Sequence, residues 1–377
     1  MIQASVVVAT YNRAEPLARL LATLKNQSAR RDQFEVVVVD DGSQKDATPV
    51  ASRFADALQV SAIRQENSGV AIARQRGVLR ARGRIIIFLD DDMRVPRNFV
   101  AEHIAAHAGH DDRVVMGELL PDEKLTEMPL FERFHAFQLE KAARRYAATG
   151  TFSGHEVYSG NLSLPRDLYL RAGGFDPAFF IEDVELGVRL ERLGAEFVFS
   201  RKAAAIHASD HTSLDGWLDR CFREGRDWVR LARKHPSADA ASPWSFVVKA
   251  NPLARPFFAA SVFAPKMAPL LARTAVRGAL AADALGWNGK VASLMTLVYG
   301  IEYYRGVRKE TGSLGDAIRA YRAYRHRAEA PRTHLPREDR ELAADDDRPS
   351  GPRVRGPEAR AAFMGIARDK LPWDTLP

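Results

Sequence analysis

Short, unbroken apolar runs that end abruptly in polar clusters dominate the first hundred residues. "ASVVVATYN", "FEVVVVDDGS" and "RIIIFLDDD" are too short for helices and rich in branched side chains. They lack polar alternation, as strands covered on both faces do. Between them the leucines of "EPLARLLATLKNQ" (Leu17, Leu20, Leu21, Leu24) recur at helical spacing, "TPVASRFADAL" places Pro49 in a first helical turn, and a weak strand over residues 58–64 precedes the helical "SGVAIARQRGVLRARG". This β-α-β-α-β-α-β rhythm predicts an α/β fold, a mostly parallel sheet with helices on both faces. Residues 114–211 mix short strands with helices, one of them expected over 128–146, and a long helix is predicted over Leu214–Lys234.

In such sheets ligands bind at the carboxyl ends of the strands. Here those ends carry Thr10-Tyr11-Asn12-Arg13, Asp40-Asp41-Gly42-Ser43 and Asp90-Asp91-Asp92. Three carboxylates at the edge of a buried strand are costly unless a cation compensates them. Alternation along an extended strand turns Asp90 and Asp92 to one side and Asp91 to the other, a pair able to face one hard divalent ion, Mg2+ or Mn2+. The alternatives are helix capping or pairing with Arg94 and Arg97. Asp345-Asp346-Asp347 follows no strand and reads as a solvated charge run.

Composition narrows the classes. The chain has 377 residues, 46% of them hydrophobic, enough for a sizeable core, and one cysteine, Cys221, which excludes an internal disulfide framework and a cysteine-rich zinc site. With a strand predicted from residue 4, no leader is expected and the protein is placed in the cytoplasm. Within the net charge of +7, residues 241–328 carry 13 Lys and Arg against 4 Asp and Glu. The residues between those cations are Phe, Leu, Val, Met and Trp, and residues 252–305 are apolar but interrupted by Arg255, Lys266, Arg273, Arg277, Asp283 and Lys290. That pattern points away from nucleic acid and toward an anionic membrane surface, with the protein peripheral on the inner face of the cytoplasmic membrane; a helical extension packed on the first domain is the alternative. From residue 329 onward Pro, Arg, Asp and Ala dominate without period, as in a disordered tail. Three parts are expected: 1–212, a catalytic domain; 213–328, a basic helical extension; and 329–377.

"SVVVATYNR", "EVVVVDDGSQKDAT", "QENSGVAIARQRGVLRARGRIIIFLDDDM", "YSGNLSLPRDLYLRAGGFDP" and "FIEDVELGVRLERLG", in this order, resemble the inverting family 2 glycosyltransferases of GT-A fold. The resemblance covers residues 2–211. It implies that Thr10, Tyr11, Asn12 and Arg13 line a nucleotide pocket, that Asp40 bonds the base, and that Arg74, Asp90 and Asp91 lie against the nucleotide sugar. It also implies that Asp92, with Asp90 and His207, holds Mn2+ or Mg2+, that Gly160, Asn161 and Glu182 wall the donor or acceptor, and that Asp183 is the general base. The residues taken alone leave other readings open: a turn at Asp41-Gly42-Ser43, a solvated helix arginine at Arg74, a satisfied histidine at His207, and two acids at a helix N-terminus at Glu182-Asp183.

The expected reaction moves a sugar from a nucleotide-diphosphate donor, UDP favoured, to a hydroxyl of a saccharide or lipid-linked acceptor, in surface polysaccharide or glycolipid synthesis. A nucleotidyltransferase would want a glycine-rich phosphate loop with lysine, which "ATYNRAEP" lacks, and a dinucleotide enzyme would want G-x-G-x-x-G after the first strand. An inactive nucleotide-sugar sensor is the non-enzyme alternative; acids at all three strand ends and at Asp183 speak against it.

Overall fold

A computed structural model describes residues 2–238 and 242–329. The expected tail lies, apart from residue 329, outside the described residues, as do Asp345 to Asp347. The chain divides into two compact units, with the boundary between Trp217 and Leu218.

The first unit contains β1 (Ala4–Thr10), α1 (Ala14–Leu24), β2 (Phe34–Asp40), α2 (Thr48–Ser52), β3 (Val60–Arg64), α3 (Val70–Arg80), β4 (Ile85–Leu89), β5 (Met93–Arg94), α4 (Phe99–Ala106), β6 (Arg113–Pro121), α5 (Leu130–Thr149), β7 (Asn161–Pro165), α6 (Arg166–Arg171), α7 (Glu182–Arg192) and β8 (Glu196–His207). The strands form one mixed sheet, ordered β3-β2-β1-β4-β7-β6-β8-β5. Pairing is parallel from β3 through β4 and between β6 and β8, and antiparallel where β7 meets β4 and β6 and where β5 meets β8.

The absence of polar alternation has a direct cause. Ala4, Val6 and Val8 of β1 and Ile85, Ile87 and Leu89 of β4 point into a core shared with Leu17, Leu20, Leu21 and Leu24 of α1 and with Phe99 and Val100 of α4. Val7, Ile86 and Phe88 point into a second core with Ala71 and Val78 of α3, Tyr146 of α5, Tyr169 of α6 and Leu186 and Leu190 of α7. Both halves of the period-two pattern are therefore apolar, and helices cover both faces. The helix expected across residues 48–58 stops at Ser52, and the chain continues to Leu58 as turns.

Helix α8 (Leu214–Lys234) carries the unit boundary. The second unit continues through α9 (Ser245–Lys249), α10 (Arg255–Phe263), α11 (Ala268–Ala284), α12 (Asn288–Thr311) and α13 (Leu314–Glu329). Its core gathers Val229, Trp244, Phe258, Val262, Tyr303, Tyr304 and Val307. Helices α8 and α12 touch backbone to backbone at Gly225 and Gly306, where an added Cβ would sit 1.9 Å from the Tyr303 carbonyl oxygen and 2.0 Å from that of Phe222. Among the described residues no helix is long and apolar enough to cross a membrane.

Candidate active site

The site is built on the carboxyl ends of β1, β2 and β4. Strand β4 ends at Leu89, and Asp90 to Asp92 form a turn closed by the Met93 N–H on the Asp90 carbonyl at 3.3 Å. The strand alternation expected for Asp90 and Asp92 does not reach them, because a turn rotates successive side chains differently. Instead Asp91 and Asp92 share one cation: Arg13 reaches Asp91 Oδ1 from Nε at 2.9 Å, Asp92 Oδ2 from Nη2 at 2.8 Å, and Asp210 Oδ1 from Nη1 at 2.9 Å. Thr10, buried, donates its hydroxyl to Asp91 Oδ2 at 2.7 Å.

Asp92 is the centre of this group. His207, at the end of β8, brings Nε2 to 3.6 Å from Asp92 Oδ2 because β8 pairs antiparallel with β5, opposing His207 to Met93. Burial works to raise the Asp92 carboxyl, but the His207 contact and the Arg13 charge outweigh it and hold it at about 2. The same pairing raises His207 above its usual value, although burial works to lower it. Asp92 Oδ1 is buried and accepts no hydrogen bond. A charged oxygen left so is expensive in the bare protein. A carboxylate and an imidazole side by side with an open lone pair fit a divalent cation completed by phosphate oxygens.

Asp90 belongs to a different branch. Arg74, expected near the nucleotide or in solvent, is buried and bridges Asp90 Oδ1 at 2.6 Å and Glu182 Oε1 at 2.8 Å, with its guanidinium 5.6 Å from the centre of the Phe175 ring. Glu182 is likewise buried, and desolvation, with the charge of Asp183 adding to it, raises it to about 7. Asp183 opens α7 and accepts from Ser159 N–H at 3.2 Å and Ser159 Oγ at 3.3 Å through Oδ2, and from Val184 N–H through Oδ1. The next residue, Gly160, accepts from the Asp90 N–H, and a Cβ there would lie 2.8 Å from Asp90 Oδ2. Segment 159–160 and Arg74 thus tie the acid turn to the Glu182-Asp183 pair.

Three expected residues sit elsewhere or do something else. Asn161, expected in a wall, is fully buried: its Oδ1 meets His103 Nε2 at 3.0 Å and its Nδ2 donates to the Ala203 carbonyl at 2.8 Å. Alternation on β7 turns it away from the face that Gly160 offers. Asp40, expected to meet a base, is fully buried and accepts from the N–H groups of Ser43 and Ala47, which closes its loop. Asn12 takes φ 58°, a left-handed conformation, and stitches the β1 and β2 loops together by donating its N–H to Ser43 and accepting from Gln44. Tyr11 is 46% exposed. Asp41 holds the loop before α3 through Gln65, Ser68 and Gly69, beside an open depression lined by Gly42, Arg64, Gln65, Glu66 and Asn67.

Sequence reasoning missed Asp210, Ser159, Phe175, and the pair Glu132 and His135, which line a recess with His207. The only signal for Asp210 was its place in "HASDH", three residues past His207. A separate group, His110, Asp112 and Glu196, brings three ligand atoms within 4.8 Å of one another at the amino ends of β6 and β8, away from the acid turn. There Arg113 already engages Glu196 at 2.9 Å.

The profile of the family described as "Glycosyl transferase family 2" matches residues 5–160. Validoxylamine A glucosyltransferase of Streptomyces hygroscopicus subsp. jinggangensis is 32% identical over 260 residues, 62% of this chain and 61% of that one. Glycosyltransferase AglE of Haloferax volcanii is 30% identical over 234 residues, 60% of this chain and 73% of that one. Mannosyltransferase PcManGT from Pyrobaculum calidifontis, solved in complex with GDP-Man and Mn2+, superposes with a TM-score of 0.56 at 20% identity, covering 79% of this chain and 85% of that one, and so shares the fold, of GT-A type. The chain spans about three fifths of the length of the first relatives it matches, 61% and 57%. By family profile, sequence identity and fold, this chain belongs to glycosyl transferase family 2.

Proposed function

We propose that this glycosyltransferase is metal-dependent and inverting, with residues 1–212 as its catalytic part, and that it moves the sugar of a nucleotide-diphosphate donor, UDP-linked, to a hydroxyl of a saccharide or lipid-linked acceptor, releasing the nucleotide diphosphate, in surface polysaccharide or glycolipid synthesis. The observation that carries the reading is the buried, unpartnered Oδ1 of Asp92 beside His207. These two side chains would hold Mn2+ or Mg2+, which when bound supplies Lewis-acid stabilisation to the departing nucleotide diphosphate. The glucosyl transfer named for the Streptomyces relative supports a hexosyl donor. The depression beside Asp41 offers the base a place, and Tyr11 offers an exposed ring for it to stack on.

The chain's own residues do the rest. Arg13 fixes the orientation of Asp91 and Asp92, and Arg74 fixes that of Asp90 and Glu182. Asp183, oriented by Ser159, takes the proton of the acceptor hydroxyl as that oxygen bonds to the anomeric carbon and the bond to the donor phosphate breaks on the opposite side. One displacement inverts the centre without a protein nucleophile.

Asp183→Asn keeps the shape and a good N-terminal residue for α7 while removing the base. Donor affinity should persist and transfer should fall by about 10²–10⁴-fold at saturating donor and Mn2+. Near-normal turnover by this variant would remove Asp183 from the mechanism and leave it an acid in the first turn of α7.

A further inference from the structure

Eight of the fifteen large apolar side chains exposed among the described residues fall between residues 253 and 287: Leu253, Phe257, Phe263, Met267, Leu270, Leu280, Leu285 and Trp287. Three of them, Leu253, Leu285 and Trp287, are 81%, 60% and 57% exposed. Within residues 253–290 the charged residues are five cations, Arg255, Lys266, Arg273, Arg277 and Lys290, and one acid, Asp283.

Helix geometry explains why these side chains face outward. Helix α11 buries Ala268, Ala272, Val276, Ala279 and Ala282, one stripe of small residues that lets it lie close along α12. The opposite stripe then holds Leu270, Arg273, Thr274, Arg277, Leu280, Ala281 and Ala284, so two leucines flank two arginines on one outer face. Helix α10 buries Phe258, Ser261 and Val262 and leaves Phe257 and Phe263 outside. The turns that flank α11 add Lys266 and Met267 at one end and Leu285 and Trp287 at the other.

Clustered apolar exposure on this scale marks a docking surface, and charge selects the occupant. A second copy would set the same cations against one another, because a two-fold interface opposes a patch to itself. A bilayer bearing anionic headgroups answers both features: the apolar tips enter the headgroup boundary while Lys and Arg extend along their own stems to the phosphates. We propose that the outer faces of α10 and α11, with the turns around them, dock this protein on an anionic membrane surface, lying on it rather than crossing it. The proposal does not depend on the transfer chemistry.

The test uses the full chain and vesicles of phosphatidylcholine, with or without phosphatidylglycerol, in cosedimentation at low and high salt. Binding should require phosphatidylglycerol and weaken with salt. Lys266→Gln/Arg277→Gln should bind about 30-fold more weakly, roughly fivefold for each charge near the surface. Leu270→Glu/Leu280→Glu should lose binding with thermal stability unchanged, since both positions are outside the core. Wild-type protein that ignores anionic vesicles at low salt, or variants that bind as it does, would overturn the proposal. So would a concentration-dependent dimer in sedimentation analysis that the Leu270→Glu/Leu280→Glu change disperses.

Discussion

Among the polar networks buried in the first unit, two are solved in opposite ways. One joins α4 to β7. His103 and His107, one helical turn apart, both reach Ser163 Oγ at 2.8 Å, and His103 also meets Asn161 Oδ1 at 3.0 Å. Because Asn161 Oδ1 only accepts, His103 donates from Nε2, Ser163 donates to His103 Nδ1, and His107 donates from Nε2 to Ser163. The chain of donors closes with every member neutral, and a single acceptor, His107 Nδ1, is left without a partner. The other network, at the acid turn, is assembled from ions: Arg13 with three aspartates, Arg74 with Asp90 and Glu182, and Asp92 with His207. Neutral groups are cheap to bury once paired, whereas a buried ion needs a counter-ion and further bonds to break even. A protein that needed only stability would favour the first solution; the second suits the proposed function, in which further charges would arrive with the metal and the donor phosphates.

The largest effect that would sharpen this contrast is loss of the cation. Asp92→Asn should reduce Mn2+ affinity, read by electron paramagnetic resonance with UDP present, by more than the about 10–100-fold that removal of a ligand's supporting partner costs. If Asp92→Asn bound Mn2+ like the parent, the charged network would have no ion to wait for. The next effect is on stability. Arg74→Met leaves Asp90 and the buried Glu182 without their cation and should cost about 3–5 kcal/mol, measured as a lower urea midpoint at constant slope.

Acid should attack the neutral network through its histidines. Burial lowers His103 from 6.5 to about 4, and burial, then the charges of His103, Arg113, Arg84 and His110, lower His107 to about 3. Both folded values lie below the unfolded one, so the unfolded chain takes up these protons first. Their stability contribution is complete above pH 6.5 and is lost as pH falls from there toward 3, on the order of 3 kcal/mol for His103 alone. Urea midpoints at pH 7 and 4.5, compared between wild type and His103→Asn/His107→Asn, isolate the effect because the carboxylates common to both cancel. Equal losses in the two proteins would mean that the histidines do not enter the fold uncharged.

The sheet was legible because each strand's alternate residues feed two separate cores, so every position of "VVVV" and "IIIFL" is apolar and the runs stand out. The placement of the rim residues was legible too, since Thr10, Arg13, Asp92, Glu182, Asp183 and His207 stand at or next to a strand end or helix start, and the structure gathers them at one end of the sheet. Their pairings were hidden. Arg74 and Glu182 are 108 residues apart in the chain and Thr10 and Asp91 are 81 apart, and no local period relates them. Alternation failed at Asp90 to Asp92 because it holds only while the backbone stays extended, and the strand had ended one residue earlier. His103 and His107 sit in "VAEHIAAHAG", a stretch whose pattern gives no hint that its histidines are buried against Asn161 and Ser163.

The smallest effect is the one that tests whether the neutral network is only structural. Ser163→Ala removes the hydroxyl in the middle of β7, opposite Ile87 of β4 and Val115 of β6, that donates to His103 Nδ1 and accepts from His107 Nε2, leaving a buried acceptor on His103 and a buried donor on His107 unpaired. An unmet buried polar group costs about 1–3 kcal/mol, and the alanine methyl fills most of the space, so the loss should be of that order and below that of Arg74→Met. Ser163→Thr would keep the hydroxyl and restore the bonds, while its extra methyl in a strand buried on both faces costs some packing. Mn2+ affinity should be unchanged in both variants, because the acid turn bonds the carbonyl of Gly160, which precedes β7, while the Ser163 hydroxyl bonds His103 and His107. If Ser163→Ala lowered Mn2+ affinity as Asp92→Asn does, the two networks would be one device, with Asn161 and Gly160 as the link between them, and the contrast between neutral scaffold and charged site would fail.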